Sequence, residues 1–375
     1  LLWARSAVRR RGLWAPAMVA SEAGGLLIAI GAAVLVAFRS RGWAGGPFGT
    51  TGQVALVIAM VGFGVALGRG IRSPKAAAAA ATQMTGADVS IGWRPLIGLV
   101  APIAIRPRRL VERSGIRYGP HERHLLDHLS LPAPGPKPAL IYVHGGGWWR
   151  GRRNTQARPL LYALVAAGWH VFTPSYRLSP DATFPDHLVD VKRSIAWVRE
   201  HADELGITGE FLAIAGGSTG GNLAALAALT GNRAEYQQEF PDSDTSVQAC
   251  IPLYGVHDML RRDGSPMWPY LSTSVMKSAP EADPAAWIAA SPVRIAADDR
   301  PPFFIVHGDA DSLVRVDHSR RLAAALAAGG GPPTEVLEVR DANHGFDFFA
   351  GVRGRSTAAA VAAVLQQQFD RRVDS

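Results

Sequence analysis

The chain divides by hydropathy into two unequal parts. Before residue 75 or so, apolar residues come in long uncharged runs, at 23–38 and at 42–68, the second densest over 54–67. From about residue 115 they come in short clusters separated by polar, glycine and proline positions. Runs at 140–143 and 211–215 predict buried strands, and 170–173, 249–253, 302–306 and 334–339 predict further strands. Stretches 157–167, 186–205, 320–328 and 356–369 predict helices. In 186–205, Leu188, Val191, Ile195 and Val198 share one face, Pro185 precedes the start and Gly206 ends the stretch. Strands alternating with helices predict βαβ units around a mostly parallel sheet with helices on both faces, where sites form beyond the C-terminal strand ends.

The two N-terminal runs approach the length of about 20 apolar residues that spans a bilayer. They predict a hairpin of transmembrane helices at about 17–38 and 52–68, the first requiring Glu22 to be tolerated. Arg5, Arg9, Arg10 and Arg11 precede it, Arg69, Arg72 and Lys75 follow it, and Arg39 and Arg41 lie between. Positive charge favours the cytoplasmic side, so both ends, and the domain that follows, are expected there. A signal peptide is the competing reading of the first run. The expected division is thus 1–75 membrane segment, 76–114 linker, amphipathic or cap segment, and 115–375 catalytic domain. The alanine run 76–81 reads as linker or helix extension. The apolar stretch 91–105, broken by Pro95 and Pro102, either lies on the bilayer surface or covers the site. Arg106, Arg108, Arg109 and Arg113 suit an anionic lipid surface.

Charge sharpens the division. The net charge is +8. Residues 1–113 hold 14 Lys and Arg against 3 Asp and Glu, or +11, so the remainder carries 8 − 11 = −3. The basicity belongs to the N-terminal part, and no basic face for nucleic acid is evident on the domain. The single cysteine, Cys250, sits in an apolar run and allows no intrachain disulfide. The chain opens on Leu1 rather than Met, which leaves room for residues upstream.

The chemistry centres on Gly216-Gly217-Ser218-Thr219-Gly220-Gly221, between the apolar run 211–215 and the helix-forming run 223–229. A strand, a sharp turn and a helix with Gly-x-Ser-x-Gly at the turn form a nucleophile elbow, which lifts the serine Oγ clear of the sheet. After the strand 140–143 comes His144-Gly145-Gly146-Gly147-Trp148-Trp149, a loop able to point several N–H groups one way, as an oxyanion hole needs. Gly146, Gly147 and Thr219 are the expected donors. After strand 302–306 come His307-Gly308-Asp309-Ala310-Asp311, and after strand 334–339 comes Asn343-His344-Gly345. Acid then histidine, each after a strand, is the order a hydrolase triad follows. His344 is the candidate base, and Asp309 and Asp311 are the candidate acids. Trp148, Trp149, Trp268 and Tyr270, with Met259, Met267, Met276 and Trp287, either line an apolar substrate pocket or form ordinary packing. His121, His124 and His128 near Asp127 lack a fourth ligand at fixed spacing, so no metal is expected.

With these residues in place, the chain from 115 onward resembles an α/β-hydrolase esterase or lipase of the hormone-sensitive-lipase-like group. It is similar to actinobacterial membrane-associated carboxylesterases and to the feruloyl-esterase and kynurenine-formamidase-like branch. The segment 176–180 with Phe184-Pro185 adds to the match. The resemblance implies Asp311, fifth in His-Gly-x-x-Asp, as the triad acid. Many members carry Asp before the nucleophile where this chain has Gly217, which blurs the subfamily. It further implies a carboxylic-ester hydrolase acting through an acyl-enzyme on small-molecule or lipid-like esters, without cofactor. Amide, formamide or acetyl-group hydrolysis, transacylation, and a non-catalytic scaffold remain as alternatives.

Overall fold

The computed structural model describes residues 14–261, 268–296 and 298–374. Arg5, Arg9, Arg10, Arg11 and Met267 lie outside the described residues.

The N-terminal part is helical: α1 (Trp14–Glu22), α2 (Gly24–Ser40), α3 (Gly46–Gly70) and α4 (Ser73–Thr85). The first apolar run is therefore two helices broken at Ala23, not one through 17–38. Glu22 is accommodated because the break turns it onto Arg353, whose guanidinium meets its carboxylate at 3.1 Å with both groups buried. An unpaired carboxylate in apolar surroundings would be costly. α2 and α3 pack as an antiparallel pair in which Gly31 lies against Leu56 and Met60 and Gly24 against Phe63 and Leu67. Among the described residues one helical stretch, Gly46–Thr85, is long and apolar enough to cross a membrane by length and composition. Only 6% of its apolar window is buried, unlike the core helix of a soluble protein. α2 has 17 residues, one turn or so short of a bilayer core. One such helix is weak support for membrane association.

The alanine run is helix, not linker. In α4, Ala77, Ala81 and Met84 are buried in the domain core, since small side chains let the helix lie close against its neighbours.

The rest forms one eight-stranded sheet: β1 (Val111–Arg117), β2 (Leu125–Ser130), β3 (Lys137–Val143), β4 (His170–Pro174), β5 (Ile207–Gly217), β6 (Ala249–Leu253), β7 (Phe303–Gly308) and β8 (Thr334–Val339). Their order is β1-β2-β4-β3-β5-β6-β7-β8. β1 and β2 pair antiparallel and β2 joins β4 antiparallel, whereas β4 through β8 are parallel. The antiparallel edge was not expected, because β1 (VERSGIR) is mostly exposed and has no apolar run. It also starts before residue 115. Helices α5 (Arg158–Ala166), α6 (Asp186–Glu200), α7 (Thr219–Leu229), α8 (Pro284–Ala289), α9 (Asp317–Ala328) and α10 (Val352–Val373) complete the fold. Two apolar cores lie on opposite faces of the sheet, one holding Trp169, Phe304 and Val361, the other Phe172, Ile195 and Leu322. A third cluster, of Trp148, Met259, Leu271, Val275, Met276 and Trp287, forms a roof over the C-terminal strand ends.

Candidate active site

Ser218 stands between the end of β5 and the start of α7, with φ 59° and ψ −119°. A side chain rarely adopts positive φ, and the strain persists because the surroundings hold it. The turn is tight: a Cβ on Gly220 would fall 2.0 Å from the Val143 carbonyl oxygen, so only glycine lets α7 start this close to β3.

His344, in the loop after β8, meets Ser218 Oγ through Nε2 at 2.8 Å and Asp311 Oδ2 through Nδ1 at 2.7 Å. The carboxylate only accepts, so Nδ1–H donates to it and Nε2 receives the serine proton. Asp311, in the loop after β7, is buried and its Oδ1 accepts from the N–H groups of Leu313 and Val314 at 2.9 and 2.8 Å. Burial alone would raise its pKa. The charge of His344 and hydrogen bonds from His307 and His344 outweigh that and hold it well below the usual carboxylate range. Asp309, the other sequence candidate, turns away and accepts from the Asp341 N–H.

The loop after β3 closes over the elbow. Gly146 has φ 135°, and a Cβ there would strike the Arg150 carbonyl at 1.9 Å. Gly146, Gly147, Ser218 and Thr219 all line one cavity of about 330 Å³. His144 itself does not: burial lowers its pKa to about 4, and its Nδ1–H donates to the Gly145 carbonyl. Gln156, which also lines the cavity, holds the loop, accepting from the Gly145 N–H at 2.8 Å and donating to its carbonyl at 3.3 Å.

Of the four aromatic candidates, Trp149 and Trp268 line the cavity. Trp148 does not; it is 2% exposed and packs in the roof cluster, with Tyr270 against that cluster. Two adjacent residues of the loop point opposite ways because Trp148 takes φ 64°. The remaining wall is apolar, with Val256, Met259, Leu271, Leu313 and Phe348, while Asp258, Arg261 and His318 stand at a polar part of the lining.

Several supporting residues were given no role from the sequence. Asn343 Oδ1 accepts from His344 N–H, Ser312 N–H and Ser312 Oγ–H, joining the acid and histidine loops. Its place beside His344 was the only available signal. Tyr254 sits edge-on to the His344 ring at 4.8 Å and donates to Asp347 Oδ1 at 2.5 Å. Burial raises Asp347 to about 6. A Cβ on Gly217 would lie 2.8 Å from the Tyr254 hydroxyl and 2.9 Å from that of Tyr142. This is why the residue before the nucleophile has no side chain here. Nothing local in the sequence links these positions. The histidines near Asp127 are spread among other partners: His124 meets Asp190 at 3.0 Å and His128 meets His170 at 3.1 Å.

Serine, aspartate and histidine after the parallel strands β5, β7 and β8, with the serine on a strained elbow, define the chain as an α/β-hydrolase. The sequence model of the BD-FAE family matches residues 128–326, more than half of the 375 residues, and the chain belongs to that family. It is similar to the esterase LipQ of Mycobacterium tuberculosis, 41% identical over 272 residues that make up 71% of this chain and 65% of LipQ. It is similar as well to the esterase LipC of the same organism, 36% identical over 75% of this chain and 71% of LipC. The chain thus spans just under two thirds of LipQ's length. Among solved structures, esterase B of Lactobacillus rhamnosis shares the fold, with a TM-score of 0.61 at 21% identity, covering 72% of this chain and 88% of that one. These likenesses place the chain in the hormone-sensitive-lipase-like group, as the sequence motifs imply.

Proposed function

We propose that this protein is a serine carboxylic-ester hydrolase. The observation that carries the reading is the relay Ser218–His344–Asp311, at 2.8 and 2.7 Å, opening on an apolar cavity. In this reading Ser218 Oγ attacks the ester carbonyl carbon while His344 Nε2 takes its proton. Asp311 holds the imidazole tautomer and stabilises the imidazolium that forms. The N–H groups of Gly146, Gly147 and Thr219 receive the oxyanion. Such a donor contributes on the order of 10²–10³ in kcat. His344 then protonates the departing alcohol, leaving an acyl-serine, and water activated by the same histidine releases the acid. The names of LipQ and LipC support ester over amide substrates. The largely apolar walls favour short- to medium-chain or lipid-like acyl groups.

The hairpin of α2 and α3 anchors the enzyme in a membrane, with the catalytic domain on the cytoplasmic side where the flanking arginines lie. Support comes from the exposed apolar surface of α3 and the charge bias of the flanks.

The test of activity is hydrolysis of p-nitrophenyl esters of increasing acyl length by the full chain in detergent, for wild type and Ser218→Ala. Turnover that disappears with Ser218, and peaks at one chain length, is expected. Equal turnover by both proteins would refute the assignment of the nucleophile. A reporter fused after Ser375 and active only outside the cytoplasm would overturn the orientation.

A further inference from the structure

Between α4 and β1 the chain leaves an uncommon surface. Trp93, Val100, Ile103 and Ile105 are 70%, 76%, 70% and 73% exposed. Isolated exposed apolar residues are ordinary, but a contiguous group marks an interaction site. Exposed Arg94, Arg106, Arg108 and Arg109 lie within and after it. Arg106 pairs with Glu112 at 3.0 Å, while among the described residues Arg94, Arg108 and Arg109 have no carboxylate partner. This is not a floppy linker. A Cβ on Gly25, at the foot of α2, would strike the Leu99 carbonyl at 1.6 Å. The Ala350 N–H donates to Pro102 O at 2.7 Å, and Arg355 donates to the carbonyls of Ala101 and Ile103.

Those contacts fix its place. α2 leaves the domain at Gly25 and α3 returns at Leu67, so Leu99 lies at the base of the hairpin, away from the turn at 41–45. If the hairpin is in a bilayer, the base is at the headgroups. Tryptophan and apolar side chains interleaved with arginine are what that depth favours. The same strip reaches the active site. Its partners Ala350 and Gly351 belong to the loop that begins at His344 and passes Phe348 on the cavity wall. Met18 of α1 touches that loop beside Gly345.

We propose that residues 93–109 form a collar that seats the catalytic domain on an anionic bilayer surface, with the rim of the cavity beside it. This rests on the membrane reading of the hairpin given above. The sequence left this strip as either bilayer surface or cover for the site. The structure favours the first: its contacts run to the hairpin base and the rim loop, and none of 93–109 lines the cavity. A consequence is that esters dissolved in the membrane reach Ser218 along a short path from the surface.

The test uses the full chain, reconstituted into phosphatidylcholine vesicles with or without phosphatidylglycerol. Cys250 is fully buried, so a cysteine introduced at Val100 takes an environment-sensitive fluorophore selectively. Ile58→Cys in α3 reports insertion of the hairpin, and Glu210→Cys, exposed at the far end of β5 from Ser218, reports water. The collar predicts that the label at 100 is quenched by lipids spin-labelled near the headgroup, more strongly with phosphatidylglycerol, while the label at 210 is not. Arg108→Glu with Arg109→Glu should abolish the phosphatidylglycerol effect and leave hydrolysis of a water-soluble p-nitrophenyl ester unchanged. Loss of the two arginine charges alone accounts for roughly a 30-fold change in seating, and repulsion of the two introduced glutamates enlarges it. If 58 is quenched but 100 is as wet as 210, the collar is wrong and the anchor stands. If 100 is shielded yet untouched by lipid quenchers, the strip covers a protein contact instead, and the proposal fails. If 58 is also in water, the anchor and the collar fall together. Absence of ester hydrolysis in wild type would count against the enzymatic reading alone.

Discussion

Ile214 in β5 and Ile58 in α3 are the same residue in opposite settings. The first has no solvent exposure; the second is 66% exposed, with Val61 at 61% and Phe48 at 94% nearby on the same hairpin. Burying a side chain of this size stabilises by about 1.5–3 kcal/mol. The sheet collects that term strand after strand by covering both faces, whereas the hairpin forgoes it on its outer surface. The difference teaches that hydrophobicity has two uses within one chain. In the catalytic part it holds a backbone rigid enough to keep Ser218 strained. In the hairpin it stays on the outer surface, which is the property the proposed membrane anchor draws on. The two parts meet through few but specific contacts, chiefly Glu22 with Arg353 and Arg69 with Asp341 at 3.4 Å.

The largest effect should come from within the rigid part. Ser218→Ala should lower kcat by on the order of 10⁴–10⁶, measured on a soluble ester, with an unchanged melting temperature. A fall in activity that tracks a loss of fold instead would move the explanation from chemistry to packing.

Next in size is the seam between the two parts. Arg353→Met strands the buried Glu22 carboxylate and should cost about 3–5 kcal/mol in denaturant titrations of the detergent-solubilised chain. Adding Glu22→Leu should recover most of it, because two apolar groups can replace a buried pair. Additive losses in the double variant would show that the pair does not couple the hairpin to the domain.

Acid sharpens the comparison further, since the groups concerned all belong to the sheet domain. Burial holds His128 down to about 3, with His170 and Arg113 adding to it, and holds His144 and His187 down to about 4. The unfolded chain takes up these protons near 6.5 and the folded chain does not. Their stabilising contribution is therefore present above pH 6.5 and is lost as pH falls toward 4. Asp347, raised to about 6 by burial, acts the other way, favouring the fold as pH drops through 6. With His170 and His257 also lowered, five histidines outnumber the raised carboxyls of the sheet domain, Asp347, Asp309 and Glu335, so melting temperature should fall between pH 6.5 and 4, and Asp347→Asn should steepen the fall. A flat profile would contradict the burial of these rings.

The smallest effect belongs to the exposed pair Arg320–Glu338, bidentate at 2.7 Å but half in water. Arg320→Ala should change stability by no more than about 1 kcal/mol. A larger loss would mean that the rim of the sheet is held by more than its strands.

What could be read from the chain alone was whatever depends on near neighbours. Strand, Gly-x-Ser-x-Gly and helix are contiguous, so the elbow at Ser218 was legible from steric need. The loops bearing Gly146 and His344 were legible because each follows an apolar strand. Five strands of the parallel sheet, β3 to β7, announced themselves as apolar runs, since burial on both faces leaves no other pattern, and the edge strand β8 was legible as a strand although it is only partly buried. The choice of Asp311 over Asp309 needed a family resemblance, because both follow β7 and only the fold shows which reaches His344. Tertiary structure alone decided the antiparallel edge of β1 and β2, where exposure erases the hydrophobic signal. It alone brought Tyr254 and Asp347 beneath His344, Gln156 onto the Gly145 loop, and Glu22 onto Arg353 across most of the chain. It sent Trp148 into the roof and Trp149 into the cavity, a difference set by one positive φ rather than by composition. It decided between linker and helix for the alanine run of α4 in favour of helix and placed that helix in the core, because small side chains are informative only once the surface they pack against is known.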